Sequence, residues 1–175
     1  MILVTLFLAA QLAHRFAPTP AERSPVRVLN VCQLLQVLPE VQGQVVVVVG
    51  WSSDTSEGSW LGAECANRLV TDGFTWPNEV ATSFGEAEFA PAPALPRGFR
   101  WPEPAISRSL LGLSRGPSSR ASGKWLAIYG RLETHVPLQV GMCGGGPCGL
   151  GFGHGSAAPA LIIFPEGGVR EVPGP

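Results

Sequence analysis

The sequence predicts a mainly β domain, a small five-stranded barrel with one or two short helices. Residues 45–49 are five consecutive valines, and such β-branched side chains are stiff and favour extended strands. The chain has 22 glycines and 17 prolines among its 175 residues, which indicates many turns between short elements. Only 14% of the residues are charged and the net charge is −1, so no globally basic nucleic-acid-binding surface is expected.

The first predicted element is a short helix that begins after Asn30. The Asn30 side chain can cap this helix, and Gln33 stands three residues later, in the position of a capping box. Pro39 and Gly43 then end the helix. The valine strand follows, and because its apolar run is continuous and not alternating, we expect both of its faces to be buried.

Further strands are predicted downstream, after a turn at residues 52–60. Gly73 and the Trp76–Pro77 pair interrupt the third strand. In residues 104–116 the apolar side chains have near-helical spacing, which predicts a helix between the third and fourth strands; they are Ile106, Leu110, Leu111 and Leu113. The four later strands are expected in residues 60–65, 68–84, 124–136 and 159–164. This order matches a small OB-type barrel preceded by an extra helix, with an α+β sandwich as the alternative.

Three parts of the chain are predicted: residues 1–25 a signal peptide or N-terminal anchor plus linker, residues 26–166 the barrel domain, and residues 167–175 a disordered tail. Residues 2–13 are nearly all apolar, too short a run to cross a hydrocarbon core of about 30 Å but typical of a secretory signal. Because no Lys or Arg precedes this run, a buried strand or helix, or a short uncleaved anchor, is the alternative. We expect an exported protein (periplasmic, extracellular or membrane-tethered) that meets a membrane only through an uncleaved N-terminus.

Four motifs give the chain a family resemblance. They are a cysteine before a short helix (Cys32), a glycine-flanked valine strand (43–50), a cysteine after a leucine-containing strand (Cys65), and a Gly-Phe-Gly-His segment followed by Pro-Ala (151–160). With these motifs, residues 28–164 resemble an uncharacterised family of small exported bacterial OB-like β-barrel domains. The resemblance implies a fold and export, and it carries no established activity.

The four cysteines are predicted to form two disulfides, as is usual in an exported domain. Four cysteines allow three pairings, and we favour Cys32–Cys65 and Cys143–Cys148. The first would tie the leading helix to the second strand and stabilise the fold by about 3 kcal/mol in the chain-entropy model. The second, which departs from the pattern of the resembling family, would close a small glycine-rich ring.

A metal site is the alternative interpretation of the glycine-rich loop. Cys143, Cys148 and His154 would supply three ligands, and His135 from the preceding strand a fourth. Their spacing is not that of the usual zinc sites, which favours the disulfide interpretation.

A binding site is expected near the loop of residues 142–156. The candidate ligand-binding residues are His154, Trp51, Trp60 and Arg131. The tryptophans are candidates because an OB barrel can present aromatic side chains to bases or sugars. Arg131 ends a stretch, residues 97–131, that carries six arginines and one lysine against a single acid.

The sequence therefore predicts an exported binding or structural module of unknown ligand that is not an enzyme and needs no cofactor. One alternative is a metal-binding module, and another is a nucleic-acid-binding barrel that uses the basic stretch, although the net acidic charge argues against it. A hydrolase centred on His154 is a third, weaker alternative, because no second catalytic residue stands out in the sequence.

Overall fold

The computed structural model describes residues 26–87, 90–113, 123–156 and 158–175. The predicted signal peptide or anchor, residues 1–25, lies outside the described residues. The helices of the described part are α1 (Val31–Gln36), α2 (Leu38–Val41) and α3 (Glu103–Leu110). Its strands are β1 (Arg27–Asn30), β2 (Val45–Thr55), β3 (Gly58–Gly62), β4 (Val70–Thr71), β5 (Phe74–Thr75), β6 (Glu79–Phe84), β7 (Glu86–Ala87), β8 (Ala90–Pro91), β9 (Trp125–Thr134), β10 (Val140–Cys143), β11 (Gly146–Gly149), β12 (Ala160–Phe164) and β13 (Val169–Glu171).

The largest sheet closes on itself as a five-stranded barrel, as the sequence predicts. Around the ring the strands follow the order β2, β3, β6, β12 and β9, and β9 pairs again with β2. The β6–β12 pair is parallel and the other four pairs of the ring are antiparallel. Strand β1 adds to β2 in parallel orientation, and β13 adds to β9 in antiparallel orientation. Helix α3 comes between the third and fourth strands of the ring in chain order, also as predicted.

The valine run of β2 is buried on both faces, which confirms the interpretation of its continuous apolar pattern. Val46 and Val48 belong to the core inside the barrel, together with Leu61, Ile128 and Ile162 of other ring strands. The intervening valines 47 and 49 point outward and pack in a second core beneath α3. None of these four valines has any exposed surface. A strand of a closed barrel that is covered from outside has no face left for polar side chains.

Helices α1 and α2, together called the helical cap, close one end of the barrel. Their apolar side chains join the core inside the barrel: Val31, Leu34, Leu35, Leu38 and Val41. The predicted capping box is present, because the Gln33 amide donates to Asn30 Oδ1 at 2.8 Å and the Asn30 amide donates to Gln33 Oε1 at 3.0 Å. The predicted single helix is divided at Val37, since α2 has a proline in its first turn.

The outer core beneath α3 also holds the end of the chain, which corrects one prediction. Residues 167–175 were expected to form a disordered tail, yet β13 pairs with β9 along Val169–Glu171. The next residue, Val172, is buried in this core, and its amide donates to the Trp125 carbonyl at 2.9 Å. Arg170 also forms an ion pair with Glu103 of α3. The prediction is therefore wrong for residues 169–172, because backbone pairing and burial hold them on the barrel.

The predicted turn at residues 52–60 is much shorter in the structure. Strands β2 and β3 pair from Trp51 opposite Gly62 as far as Thr55 opposite Gly58. The turn is reduced to Ser56 and Glu57, where the Glu57 amide donates to the Thr55 hydroxyl at 3.1 Å. Ser52 and Ser53, which fall in the predicted turn, are instead buried residues of β2.

Residues 140–156, called the glycine-rich insertion, begin with the hairpin β10–β11. This hairpin packs on the smaller hairpin β4–β5 through Trp76, which has no exposed surface. A Cβ atom at Gly149 would lie 2.5 Å from Trp76 Cζ3, and one at Gly151 would lie 3.0 Å from it. These two glycines are therefore needed because the backbone lies directly against an indole ring.

Among the residues that the structure describes, no helix has the length and apolar character needed to cross a membrane.

Candidate functional site

Two of the four predicted ligand-binding residues, Trp60 and His154, come together on the outer face of the barrel. Trp60 lies on β3, where it is half-buried and packs beside a third core that contains Phe152 and Leu161. His154 lies in the glycine-rich insertion, in a short 3-10 turn formed by His154–Ser156. The insertion folds back over the barrel through Phe152, which pairs with Ala158 in an isolated bridge.

The Trp60 indole is bordered by bare backbone on two sides. A Cβ atom at Gly58 would lie 3.2 Å from Trp60 Cη2, and a Cβ atom at Gly153 would lie 3.2 Å from Trp60 Nε1. Both glycines have positive φ angles, +146° and +78°, which other residues rarely adopt. Glycine at these two positions therefore keeps side chains away from both ends of the ring.

Glu57 and His154 are the chain neighbours of these two glycines, and they meet each other. The His154 Nε2 atom lies 3.7 Å from a Glu57 carboxylate oxygen, and the two side chains are 64% and 59% exposed. The contact joins the β2–β3 turn to the glycine-rich insertion. Glu57 and His154 are far apart in the sequence, so only the folded chain brings them together. We call Glu57, Trp60 and His154 the outer-face cluster.

Trp51 lies elsewhere and has a packing role. Its ring meets Trp125 edge-on, with 6.0 Å between the ring centres, and it packs against the core beneath α3. The Trp51 Nε1 atom is buried and has no hydrogen-bond partner among the described residues. Trp51 therefore belongs to the barrel wall and not to the outer-face cluster.

Arg131 is also on another wall of the barrel. It lies on β9, opposite Val45 of β2 and Ile163 of β12 in the strand registers. The half-buried Trp60 lies on β3, which is separated from β9 by β2 on one side of the ring and by β6 and β12 on the other. The structure therefore does not group Arg131 with Trp60 and His154.

Both favoured cysteine pairings are present. Cys32 and Cys65 form a disulfide with 5.4 Å between their Cα atoms, and Cys143 and Cys148 form one with 5.8 Å. The second disulfide joins the two strands of the β10–β11 hairpin near its tip.

The metal alternative loses its ligands in this arrangement. Cys143 and Cys148 have no free thiolate, which is the form of cysteine that binds zinc. His135, the suggested fourth ligand, stacks on Phe152 with 4.8 Å between ring centres. Within the described ranges, no group of three or more His, Cys, Asp or Glu side chains is placed to hold a metal ion.

The chain matches no protein-family model, no curated protein and no solved structure. The resemblance to exported OB-like domains therefore stays a prediction, and the function is inferred from the geometry of the site.

Proposed function

We propose that this protein is an exported, non-enzymatic binding module with an OB-type barrel, and that its outer-face cluster binds a neutral saccharide. The ring of five strands with a helix between the third and fourth supports the OB-type assignment. OB barrels bind ligands on the face of their second and third strands and on the loops between strands one and two and between strands four and five. In chain order the ring strands here are β2, β3, β6, β9 and β12. The second of them, β3, carries Trp60; Glu57 lies in the loop between the first and second, and His154 in the loop between the fourth and fifth.

The observation that carries the proposal is a half-buried indole with two polar side chains beside it. An indole presents a rigid apolar face that packs well against the C–H groups of a flat ring. The Glu57 carboxylate accepts hydrogen bonds from hydroxyl groups, and the His154 imidazole offers one further donor or acceptor. A saccharide ring has both an apolar face and a hydroxyl-bearing edge, so it fits this combination.

Charge favours a neutral ligand over a phosphate backbone. Asp54 and Glu57 lie at the end of β2 and in the turn that follows, and residues 45–67 contain no Lys or Arg. Nucleic-acid affinity depends on neutralising phosphates with basic side chains, so this acidic edge opposes it. The nucleic-acid alternative would have to use basic residues from the stretch 97–131 of the sequence.

Export is supported by the two disulfides and by the apolar N-terminal residues. Disulfides persist in oxidising compartments and are rare in the cytosol. If the protein is exported, the chain recovered from the periplasm or the medium will show no free thiols by mass spectrometry. Four free thiols in protein from its native compartment would contradict this part of the proposal.

The binding part is tested with the full chain on a panel of immobilised neutral oligosaccharides, with anionic oligosaccharides and single-stranded DNA alongside. At an ionic strength of about 0.15 M we expect retention on neutral saccharides only. Trp60→Ala should weaken this retention by at least about tenfold, as expected for a central aromatic contact. Phe84→Ala is the matched control, because Phe84 is also aromatic and surface-exposed but lies at the end of β6.

Two results would overturn the proposal. One is retention on DNA that falls with salt, in the absence of saccharide binding. The other is cleavage of a bound saccharide that is lost in His154→Ala, which would make the protein an enzyme and His154 its general acid or base.

A further inference from the structure

The barrel contains a second candidate site, a cavity of about 110 Å³ along the last residues of β2. We call this cavity the barrel mouth. Strand β2 starts at Val45, close after α2, and the cavity lies along its last residues, Ser52 and Asp54. Leu61 and Ile128, which also belong to the core inside the barrel, form its inner wall. The outer-face cluster borders the cavity through Trp60.

Polar residues lie at the rim of the barrel mouth, whose lining is otherwise mainly apolar. Asp54 lies opposite Ser59 in the β2–β3 register, and Ser59 lies opposite Thr82 in the β3–β6 register. The three polar residues therefore form a row across three neighbouring strands, and all three line the cavity.

The remaining lining is apolar. Leu126 of β9, Phe164 of β12 and Val169 of β13 line it. Phe84 stands beside Phe164 with 5.7 Å between ring centres and is itself 64% exposed. The barrel mouth thus combines a mainly apolar lining with polar residues at its rim, which suits a ligand that has an apolar part and a polar end.

Two hydroxyl groups beside the cavity are already engaged in hydrogen bonds. Ser52 Oγ accepts a hydrogen bond from the Lys124 amide at 3.2 Å, and Thr82 Oγ1 donates to the Ser59 carbonyl at 3.2 Å. Among the described residues, the Asp54 carboxylate has no hydrogen-bond or ion-pair partner. The ammonium group of Lys124 is held by Glu171 at 2.8 Å.

We propose that the barrel mouth binds an ammonium group carried on an unbranched aliphatic stem. The stem lies against Leu126 and Phe164, and the ammonium group meets the Asp54 carboxylate at the rim. A cavity of roughly 150 Å³ holds a benzene molecule, so a space of about 110 Å³ is better filled by a narrow chain than by an aromatic ring. An ammonium is a compact point charge, whereas the planar guanidinium fork needs more width. This chemistry occurs in small alkylamines and in lysine side chains.

The test uses the full oxidised chain and NMR titrations with n-butylamine, n-pentylamine and n-hexylamine. We expect affinity to rise by about fourfold per methylene until the stem fills the cavity, because each buried CH₂ adds transfer free energy. 1-Pentanol should bind more weakly than pentylamine, and pentanoate should not bind. Nα-acetyl-lysine amide separates the two sources: its binding at the same residues identifies a lysine side chain, and binding of the free amines alone identifies a small amine.

Substitutions in the barrel mouth test whether the amines bind there. Asp54→Asn should remove the preference for pentylamine over pentanol, and Leu126→Trp should fill the cavity and abolish binding of both. Asp72→Asn is the matched control, since Asp72 is an exposed acid in the β4–β5 turn whose positive φ of 47° asparagine also tolerates. Asp54 is exposed, so Asp54→Asn still tests the proposal if Leu126→Trp does not fold.

Equal affinity for pentylamine and pentanol in the unmodified protein would overturn the proposal, as would an equal loss in Asp54→Asn and Asp72→Asn. Neither result depends on saccharide binding at the outer-face cluster, so the two proposals succeed or fail separately.

Discussion

The helical cap and the glycine-rich insertion are each held by one disulfide, but the two bonds join very different structures. Cys32–Cys65 spans 33 residues of sequence and connects α1 to the segment after β3, with both cysteines packed against the core inside the barrel. Cys143–Cys148 spans 5 residues near the tip of a hairpin, and Cys143 is exposed. The first bond therefore links distant packed elements, whereas the second shapes a local surface feature.

The two regions also differ in how deeply their side chains are buried. Leu34 of the helical cap has no exposed surface and faces the barrel interior. Met142 of the insertion is 82% exposed, although its hairpin rests on the buried Trp76. We infer that the cap contributes to the stability of the whole barrel, and that the insertion owes its local order to Trp76 and to its disulfide.

The largest difference in the loss of unfolding free energy is expected when one apolar side chain is truncated in each region. Leu34→Ala should lower the free energy of unfolding by about 2–5 kcal/mol, because it leaves a cavity in a packed core. Met142→Ala, its control in the insertion, should change it by less than about 0.5 kcal/mol. Denaturant unfolding followed by tryptophan fluorescence measures both values. Equal losses would show that the insertion is as much a part of the cooperative core as the cap.

Removing the two disulfides one at a time should give a further difference in stability between the two regions. In the chain-entropy model, the loops closed over 33 and 5 residues correspond to about 3.7 and about 2 kcal/mol, respectively. The variant with Cys32→Ala and Cys65→Ala should therefore unfold at lower denaturant concentration than the one with Cys143→Ala and Cys148→Ala. The reverse order would contradict the assignment of Cys32–Cys65 as the bond that supports the barrel.

The most local effect concerns the close approach of the insertion to Trp76. Gly149→Ala places a methyl group where only 2.5 Å separates it from the indole, so we expect a loss of about 1–3 kcal/mol from overpacking. Gly145→Ala is the control, because a Cβ atom there meets nothing within 4 Å. Hydrogen exchange of the β10–β11 amides would report the loosening even where global unfolding hardly changes. An unchanged exchange pattern in Gly149→Ala would mean that the glycine is not required for packing.

Much of the barrel could be predicted because its signals are local. The capping box needs only Asn30 and Gln33, and the valine run shows by its continuity that both faces are covered. The predicted end of β2 comes several residues before the observed end, because Ser52 and Ser53 are residue types that favour turns. Pairing with β3 keeps both serines in extended strand conformation. The end of the chain was missed for a similar reason, since β13 depends on β9, which lies more than thirty residues away in sequence.

The candidate site was predicted only in part, because it depends on contacts between distant residues. His154 and Trp60 were selected by residue type, and the structure brings them together through the glycine-rich insertion. Glu57 and the row formed by Asp54, Ser59 and Thr82 could not be foreseen, because the partners become neighbours only through strand register. Trp51 and Arg131 were also selected by residue type, but barrel closure places them on other walls.

Closure of the barrel also has a consequence for how the chain avoids self-association. Five consecutive valines without charge or proline are typical of segments that stack into amyloid-like sheets. In the folded protein this segment is paired along one edge with β1 and along the other with β9. Strand β9 comes some eighty residues after β2, so on the growing chain the second edge stays open until most of the domain has been made. Aggregation during refolding should therefore rise with chain concentration and be suppressed by whatever speeds the docking of β9.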